Sequence, residues 1–251
     1  MRALLDDETV EGVVVTHGTD VLEETAYLLD RTLSPRAPVV ITGAMRTSDA
    51  AEWDGGRNLL DAFAVASERA AAGRGVLVVF AGKIFRGREV VKLDAMALDA
   101  FGTPHGAPIG EVSDGVVHWF WDAPEPTAPL SPSRLHARVA LLPILLGDDG
   151  ATVDTLRATF DGLVIISYGS GNTPPTAFPA LERWLVQRKP VVLASRCPFG
   201  LVTPAYGFEG GSARAVALGL VPAGPRTAWQ ARMELTIALS AGVRYAEGLE
   251  A

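Results

Sequence analysis

Three short runs, Val13-Val14-Val15, Val39-Val40-Ile41 and Val76-Leu77-Val78-Val79-Phe80, constrain this chain more than anything else in it. They are apolar throughout and mostly β-branched, with no polar alternation. Each therefore reads as a strand buried on both faces, the signature of a parallel sheet covered by helices. The intervening sequence agrees. Leu22, Ala26 and Leu29 recur at helical spacing across residues 22–33, while Glu23, Glu24 and Asp30 lie mostly outside that stripe. Residues 58–72 repeat the design, with Leu59, Leu60, Phe63 and Ala66 as the apolar stripe. Strands alternating with helices imply parallel pairing through βαβ crossovers. The expected fold is α/β, with a parallel doubly wound sheet of Rossmann or flavodoxin type in a larger N-terminal domain spanning residues 1–122.

A break follows. Residues 123–133 hold four prolines in eleven positions, which keeps the backbone extended and blocks a helix. Residues 123–136 are therefore read as a linker, and residues 137–251 as a smaller α/β domain. Its expected strands are 138–142, 162–166 and 190–194, with a helix over 178–187 and a last amphipathic helix over 229–241. That gives three or four parallel strands.

Composition narrows the partners. The formal net charge is -7 and no basic run occurs, which argues against a nucleic-acid surface, where clustered Lys and Arg are needed. No apolar run approaches the roughly 20 residues of a membrane span. The single cysteine, Cys197, forms no internal disulfide and no multi-cysteine metal site, and reads as a small buried hydrophobe. One cysteine and an early acidic stretch suit a cytoplasmic protein. Nor do the four histidines show metal-ligand spacing; no metal or cofactor is expected.

In open parallel sheets, ligands bind beyond the carboxyl ends of the strands, where loops and helix N-termini converge. Thr16-His17-Gly18-Thr19-Asp20 occupies such an end. Gly18 permits a tight turn, and Thr19 or Asp20 suits a helix cap. Capping alone does not call for two threonines, a histidine and an aspartate in five positions. A Thr hydroxyl beside an Asp carboxylate relays a proton or orients a water, and the carboxylate holds a substrate ammonium. His17 reads either as a base or as a structural hydrogen-bonding residue of the turn. The second strand ends in Thr42-Gly43-Ala44-Met45-Arg46, where Gly43 and Ala44 leave the backbone open to a ligand and Arg46 equally serves as a loop anchor. The third ends in Ala81-Gly82-Lys83. Beyond it Lys92 lies extended between Val91 and Leu93, either as a surface lysine or as one desolvated enough for proton transfer. In the second half, Ser170-Gly171-Asn172 follows a strand directly, offering the Asn172 amide to a ligand; the last strand ends in Ser195-Arg196-Cys197-Pro198, with Arg196 read as knitting its loop. Neither a dinucleotide fingerprint nor a P-loop lysine is present.

Taken in order, these segments resemble the bacterial-type L-asparaginases, the threonine amidohydrolases. The match comprises Thr16 to Asp20 with Leu22-Glu23-Glu24-Thr25-Ala26, then Gly43 to Arg46, Gly87 to Lys92, Ser170 to Asn172 and Ser195 to Pro198. The resemblance implies hydrolysis of L-asparagine, and of glutamine in many members, to the acid and ammonia without metal or cofactor. It implies Thr19, Asp20 and Lys92 as catalytic residues, Lys92 and Asp20 assisting proton transfer while Thr19 polarises the attacking group. Backbone at Gly18 and Ala44 would meet the substrate. Asn172 would lie at the active site of a neighbouring subunit in a homodimer or homotetramer.

Family members also carry, upstream of Thr-His-Gly-Thr-Asp, a strand ending in Thr-Gly-Gly-Thr-Ile whose first threonine is the nucleophile. Here 15 residues precede Thr16 and none forms that motif, and Val21 replaces a common threonine. The resemblance thus implies a member truncated at its N-terminus, with a strand edge left unpaired where the first strand belongs. A non-catalytic amino-acid-binding or assembly protein on the same scaffold stays open as an alternative, as does a glutaminase subunit of an amidotransferase.

Overall fold

The structure is a computed structural model that describes residues 1–123 and 128–245. Pro124, Glu125, Pro126 and Thr127 of the expected linker lie outside the described residues. The chain forms two compact units, Met1–Ser131 and Pro132–Ala251.

The first unit runs α1 (Arg2–Leu5), β1 (Val13–Thr16), α2 (Leu22–Thr32), β2 (Val39–Thr42), α3 (Gly55–Ser67) and β3 (Val76–Phe80). It continues as β4 (Lys83–Arg86), β5 (Val91–Lys92), β6 (Phe101–Gly102), β7 (Gly110–Ser113) and β8 (Val116–Trp119). Parallel pairing joins β1 to β2 in the register Val13↔Val39 and β2 to β3 in the register Val39↔Val76. Alternate side chains feed two cores, as a sheet covered on both faces requires. Val39, Ile41, Val76 and Val78 pack with Leu22 and Ala26 of α2, whereas Val40, Leu77 and Val79 pack with Ala62, Val65 and Ala66 of α3.

The sheet is not parallel throughout. Its order is β1-β2-β3-β4-β7-β8, and β4, β7 and β8 join antiparallel. Ala81 (φ 48°) and Gly82 (φ 75°) turn β3 straight back into β4. Two consecutive positive φ values are what a two-residue hairpin demands. The expected third strand end is thus a hairpin tip. At the other side, β1 pairs with β2 alone among the described strands. His17 and Val13 donate to Thr42 and Pro38 carbonyls of the β2 side, so the alternating Val14 and Thr16 groups face the open edge. The strand is only half-buried there.

The face of α3 also differs from expectation. Asn58, Asp61, Ala62, Val65 and Ala66 are buried, while Leu60 is 68% and Phe63 53% exposed. Small residues win because the helix lies against the sheet: a Cβ on Gly12 would run into the Ala66 carbonyl. Bulky Leu and Phe do not fit that gap.

The second unit comprises β9 (Val139–Pro143), α4 (Ala151–Arg157), β10 (Gly162–Ser167), α5 (Phe178–Val186), β11 (Val191–Ser195), α6 (Ser212–Leu218), β12 (Val221–Pro222) and α7 (Ala228–Ala241). Its four strands are all parallel, in the order β12-β11-β10-β9. Leu163, Ile165 and Leu193 pack with Leu181 and Trp184 of α5, and Val164 and Val192 with Ala231 and Leu235 of α7. A capping box of Thr227 and Gln230 starts α7. That helix is less cleanly amphipathic than expected, because Gln230 and Glu234 are buried beside its apolar residues.

Candidate active site

Beyond β1 the chain turns through His17 to Val21 before α2 begins. The His17 backbone extends the ladder by donating to the Thr42 carbonyl at 2.8 Å. Its ring is fully engaged: Nδ1 lies 2.6 Å from the Gly18 carbonyl oxygen and Nε2 3.0 Å from Thr25 Oγ1. A carbonyl only accepts, so Nδ1 carries the proton and Nε2 accepts from the Thr25 hydroxyl. With both nitrogens occupied, His17 braces the turn and has no lone pair left for a base.

The turn after β2 packs directly on this one. A Cβ on Gly43 would collide with the His17 carbonyl oxygen and come within 3.6 Å of Thr19 Cγ2. Two side chains from the α3 end hold the turn in place. Asp54 accepts the Met45 N–H at 2.9 Å and the Arg46 N–H at 3.0 Å. Asn58, 2% exposed, donates to the Gly43 carbonyl and to Asp54, and accepts the Ala81 N–H, each at 3.0 Å. Ala44 is fixed between these anchors. Gly18 is exposed, with nothing within 4 Å of where a Cβ would stand, so its backbone is open to a ligand.

Lys92 reaches this point from β5. Its Nζ donates to Thr19 Oγ1 at 2.9 Å and lies 3.8 Å from Asp20 Oδ1. The lysine side chain is 17% exposed and that of Asp20 98%, so solvent screening leaves their ion pair weak and the hydroxyl contact dominant. Underneath, Glu23 in the first turn of α2 accepts the Lys92 backbone N–H. Burial pushes the Glu23 carboxyl above its ordinary value and neighbouring Glu24 adds to this, against the opposing pull of the Lys92 N–H and charge.

The sign of the consequence follows from linkage. Folded protein holds the Glu23 proton to higher pH than the unfolded chain, so this group's contribution to stability is full at low pH and lost as pH rises through its folded value. Glu23→Gln is expected to flatten that portion of the stability curve, measured as urea midpoints from about pH 4 to about pH 7.

The structure thus brings Thr19, Asp20, Lys92 and Gly18 together, with the Ala44 turn packed alongside. Asn172 belongs to the second unit, where Tyr168 and Asn172 exchange backbone bonds of 2.8 and 2.9 Å and Asn172 Oδ1 accepts the Ser212 N–H that opens α6. Arg46 pairs with the exposed carboxylate of Glu52. Cys197 is exposed, not buried, because it lies past the end of β11 in a bend that its neighbour holds: Ser195 Oγ accepts the Cys197 N–H at 2.9 Å. Sequence reasoning passed over Asp54 and Asn58, and saw Glu23 only as a first-turn helix acid. The i, i+4 spacing of Asp54 and Asn58 just after a strand-end loop was the available signal.

The chain is thus a two-domain α/β protein with Thr19, Lys92 and Asp20 clustered past a strand end, and sequence comparison supplies its class. Residues 1–125 match the family described as Asparaginase, N-terminal, and residues 138–248 the Glutaminase/Asparaginase C-terminal domain. The chain belongs to the asparaginase family. It is 44% identical over 236 residues to a probable L-asparaginase of Deinococcus radiodurans, spanning 92% of this chain and 72% of that one. It is 37% identical over 180 residues to a glutaminase-asparaginase of Pseudomonas fluorescens, spanning 72% of this chain and 44% of that one. The crystal structure of a probable cytoplasmic L-asparaginase from Campylobacter jejuni superposes with a TM-score of 0.88 at 31% identity, covering 99% of this chain and 79% of that one.

Proposed function

We propose that this protein hydrolyses the side-chain amide of L-asparagine to L-aspartate and ammonia, with L-glutamine as a second substrate. The 2.9 Å contact from Lys92 Nζ to Thr19 Oγ1 at the carboxyl end of the sheet carries the reading. A hydroxyl that accepts from an ammonium directs its own proton outward. Thr19 is therefore set to pass a proton between Lys92 and a group seated over Gly18 and Ala44, with Asp20 beside the lysine. Attack on an amide carbonyl builds charge on oxygen and must end with a protonated leaving nitrogen; the relay supplies that proton. Backbone groups at Gly18 and Ala44 hold the substrate. The sequence contains no Thr-Gly-Gly-Thr-Ile, so the residues in hand are the proton-handling side of the site.

Asn172 is assigned to the site of a neighbouring subunit in a homodimer or homotetramer, by its place in the matching Ser-Gly-Asn segment. A cytoplasmic location is supported by the name of the Campylobacter relative. No helix among the described residues is long and apolar enough to cross a membrane. The test is ammonia release from L-asparagine, paired with calorimetric binding of L-aspartate. Turnover establishes the enzyme; aspartate binding without ammonia release makes the protein an amino-acid-binding relative instead.

A further inference from the structure

The lysine of this site stands outside the main sheet. β5 is two residues long and, among the described strands, pairs with β6 alone, Val91↔Gly102 and Lys92↔Phe101, in a separate two-stranded sheet. Core packing of Val90, Ala100 and Phe101 holds this ribbon beside the six-stranded sheet, with the Phe101 ring 4.7 Å from that of Phe80. The Lys92 backbone itself lies outside the main ladder, and its N–H points away from β6. A side chain ties the Lys92 backbone itself to the Thr19 turn: the Lys92 N–H is donated to Glu23 Oε2, and Glu23 stands in the first turn of the helix that Thr19 leads into. The lysine's own side chain then reaches back to Thr19.

We propose that Glu23 is a positioning residue: its carboxylate ties the Lys92 segment to the start of α2 and thereby keeps the Lys92 ammonium on Thr19. This rests on the proposed role of Lys92 in amide hydrolysis. Glu23 touches neither substrate nor reacting atoms in this account. It fixes the origin of a long, flexible side chain, and a displacement of about 1 Å at such a point is enough to cost on the order of 10²-fold in rate. An acidic residue in a first helical turn also has an ordinary use, as a partner of the helix dipole. The two roles differ in what they require. The dipole needs the charge, whereas the tether needs only an acceptor oxygen, which glutamine also offers.

The experiment compares Glu23→Ala and Glu23→Gln with the parent protein by three readouts. Amide hydrogen exchange at Lys92 is expected to accelerate about 10–100-fold in Glu23→Ala, the factor that loss of a charge-assisted hydrogen bond implies. The strands of the main sheet are expected to keep their protection. Acetylation of the Lys92 amine, followed by mass spectrometry, is expected to quicken in the same variant. In asparagine hydrolysis, kcat falls while KM stays near the parent value. Glu23→Gln restores all three toward parent behaviour. The proposal is overturned if Lys92 exchange is unchanged in Glu23→Ala, if protection falls uniformly across the unit, or if Glu23→Gln behaves like Glu23→Ala. Failure of the functional reading looks different: a parent protein that releases no ammonia removes the kinetic arm, while exchange and acetylation still judge the tether.

Discussion

Lys92→Met is expected to lower ammonia release from L-asparagine by about 10²–10⁴-fold, the range for loss of a positioned proton-transfer group. Methionine matches the length of the lysine stem and suits the largely buried position, where the side chain is 17% exposed. The fold should lose little beyond the hydrogen bond to Thr19, about 1.5–3 kcal/mol for a bond to a charged group. The ion pair lost is to an aspartate carboxylate that is 98% exposed, and pairs of that kind are worth about 0–1 kcal/mol. Rate and stability thus separate in one variant. Lys92→Arg sharpens the comparison, because guanidinium keeps the charge and donates to Thr19 yet does not release a proton at working pH. It is expected to bind L-aspartate and turn over poorly. Steady-state kinetics with a urea melt on the same samples checks both, and full turnover by Lys92→Met would remove Lys92 from the mechanism.

The second large effect is on stability. Asn58→Ala is expected to cost about 2–4 kcal/mol, visible as a lowered urea midpoint with an unchanged m-value. The substitution leaves the Gly43 carbonyl and the Ala81 N–H without this partner at once and takes from Asp54 one of the donors it accepts, and each group left unpaired costs about 1–3 kcal/mol when buried. Partial access of water to Asp54 and Ala81 keeps the sum below the simple total. Asn58→Asp offers a second reading of the same network. It keeps the acceptor for Ala81 but sets two carboxylates against each other, so it should be no better tolerated than alanine. Both variants should also loosen the Ala44 turn, since Asn58 and Asp54 brace it from either side.

Asn58 also shows where sequence reading stops. Hydrophobic periodicity placed the stripe of α3 on Leu59, Leu60, Phe63 and Ala66; of these Ala66 is buried, but Leu60 and Phe63 are exposed and Asn58 and Ala62 take the inner face instead. The pattern assumes that the largest apolar side chains go inside. Here the helix lies too close to the sheet for them, and one buried position is spent on an asparagine that satisfies strand-end backbone. The long strands and the alternation of α2 were legible because β-branched runs buried on both faces have few other solutions.

The antiparallel half of the first sheet was missed for two different reasons. Asp114-Gly115, with φ of 50° and 78°, is the strong Asp-Gly hairpin signal, and it was present to be read. Ala81-Gly82 was hidden, because alanine is a poor residue for a positive φ. Its N–H is held there by Asn58, a partner 23 positions away in sequence. Thr19 and Asp20 were legible as a proton-handling pair from their residue types, but their company with Lys92 was visible only through family resemblance. Its apolar flanks left Lys92 either a surface lysine or a desolvated one, and only the fold brings it across 73 positions to Thr19.

The open edge of β1 has a bearing on how the protein behaves in concentrated solution. A half-buried Val-Val-Val edge strand with outward-facing amides is a template to which another chain can add. In this protein the guard is charge: Asp6, Asp7, Glu8 and Glu11 stand exposed in the segment leading into the strand. Copies meeting edge to edge bring these acids together, on a molecule whose net charge is already -7. Such protection is colloidal, so it weakens as salt rises and as the carboxylates take up protons. Edge-to-edge pairing of the described strand is therefore expected to be favoured at high salt and low pH.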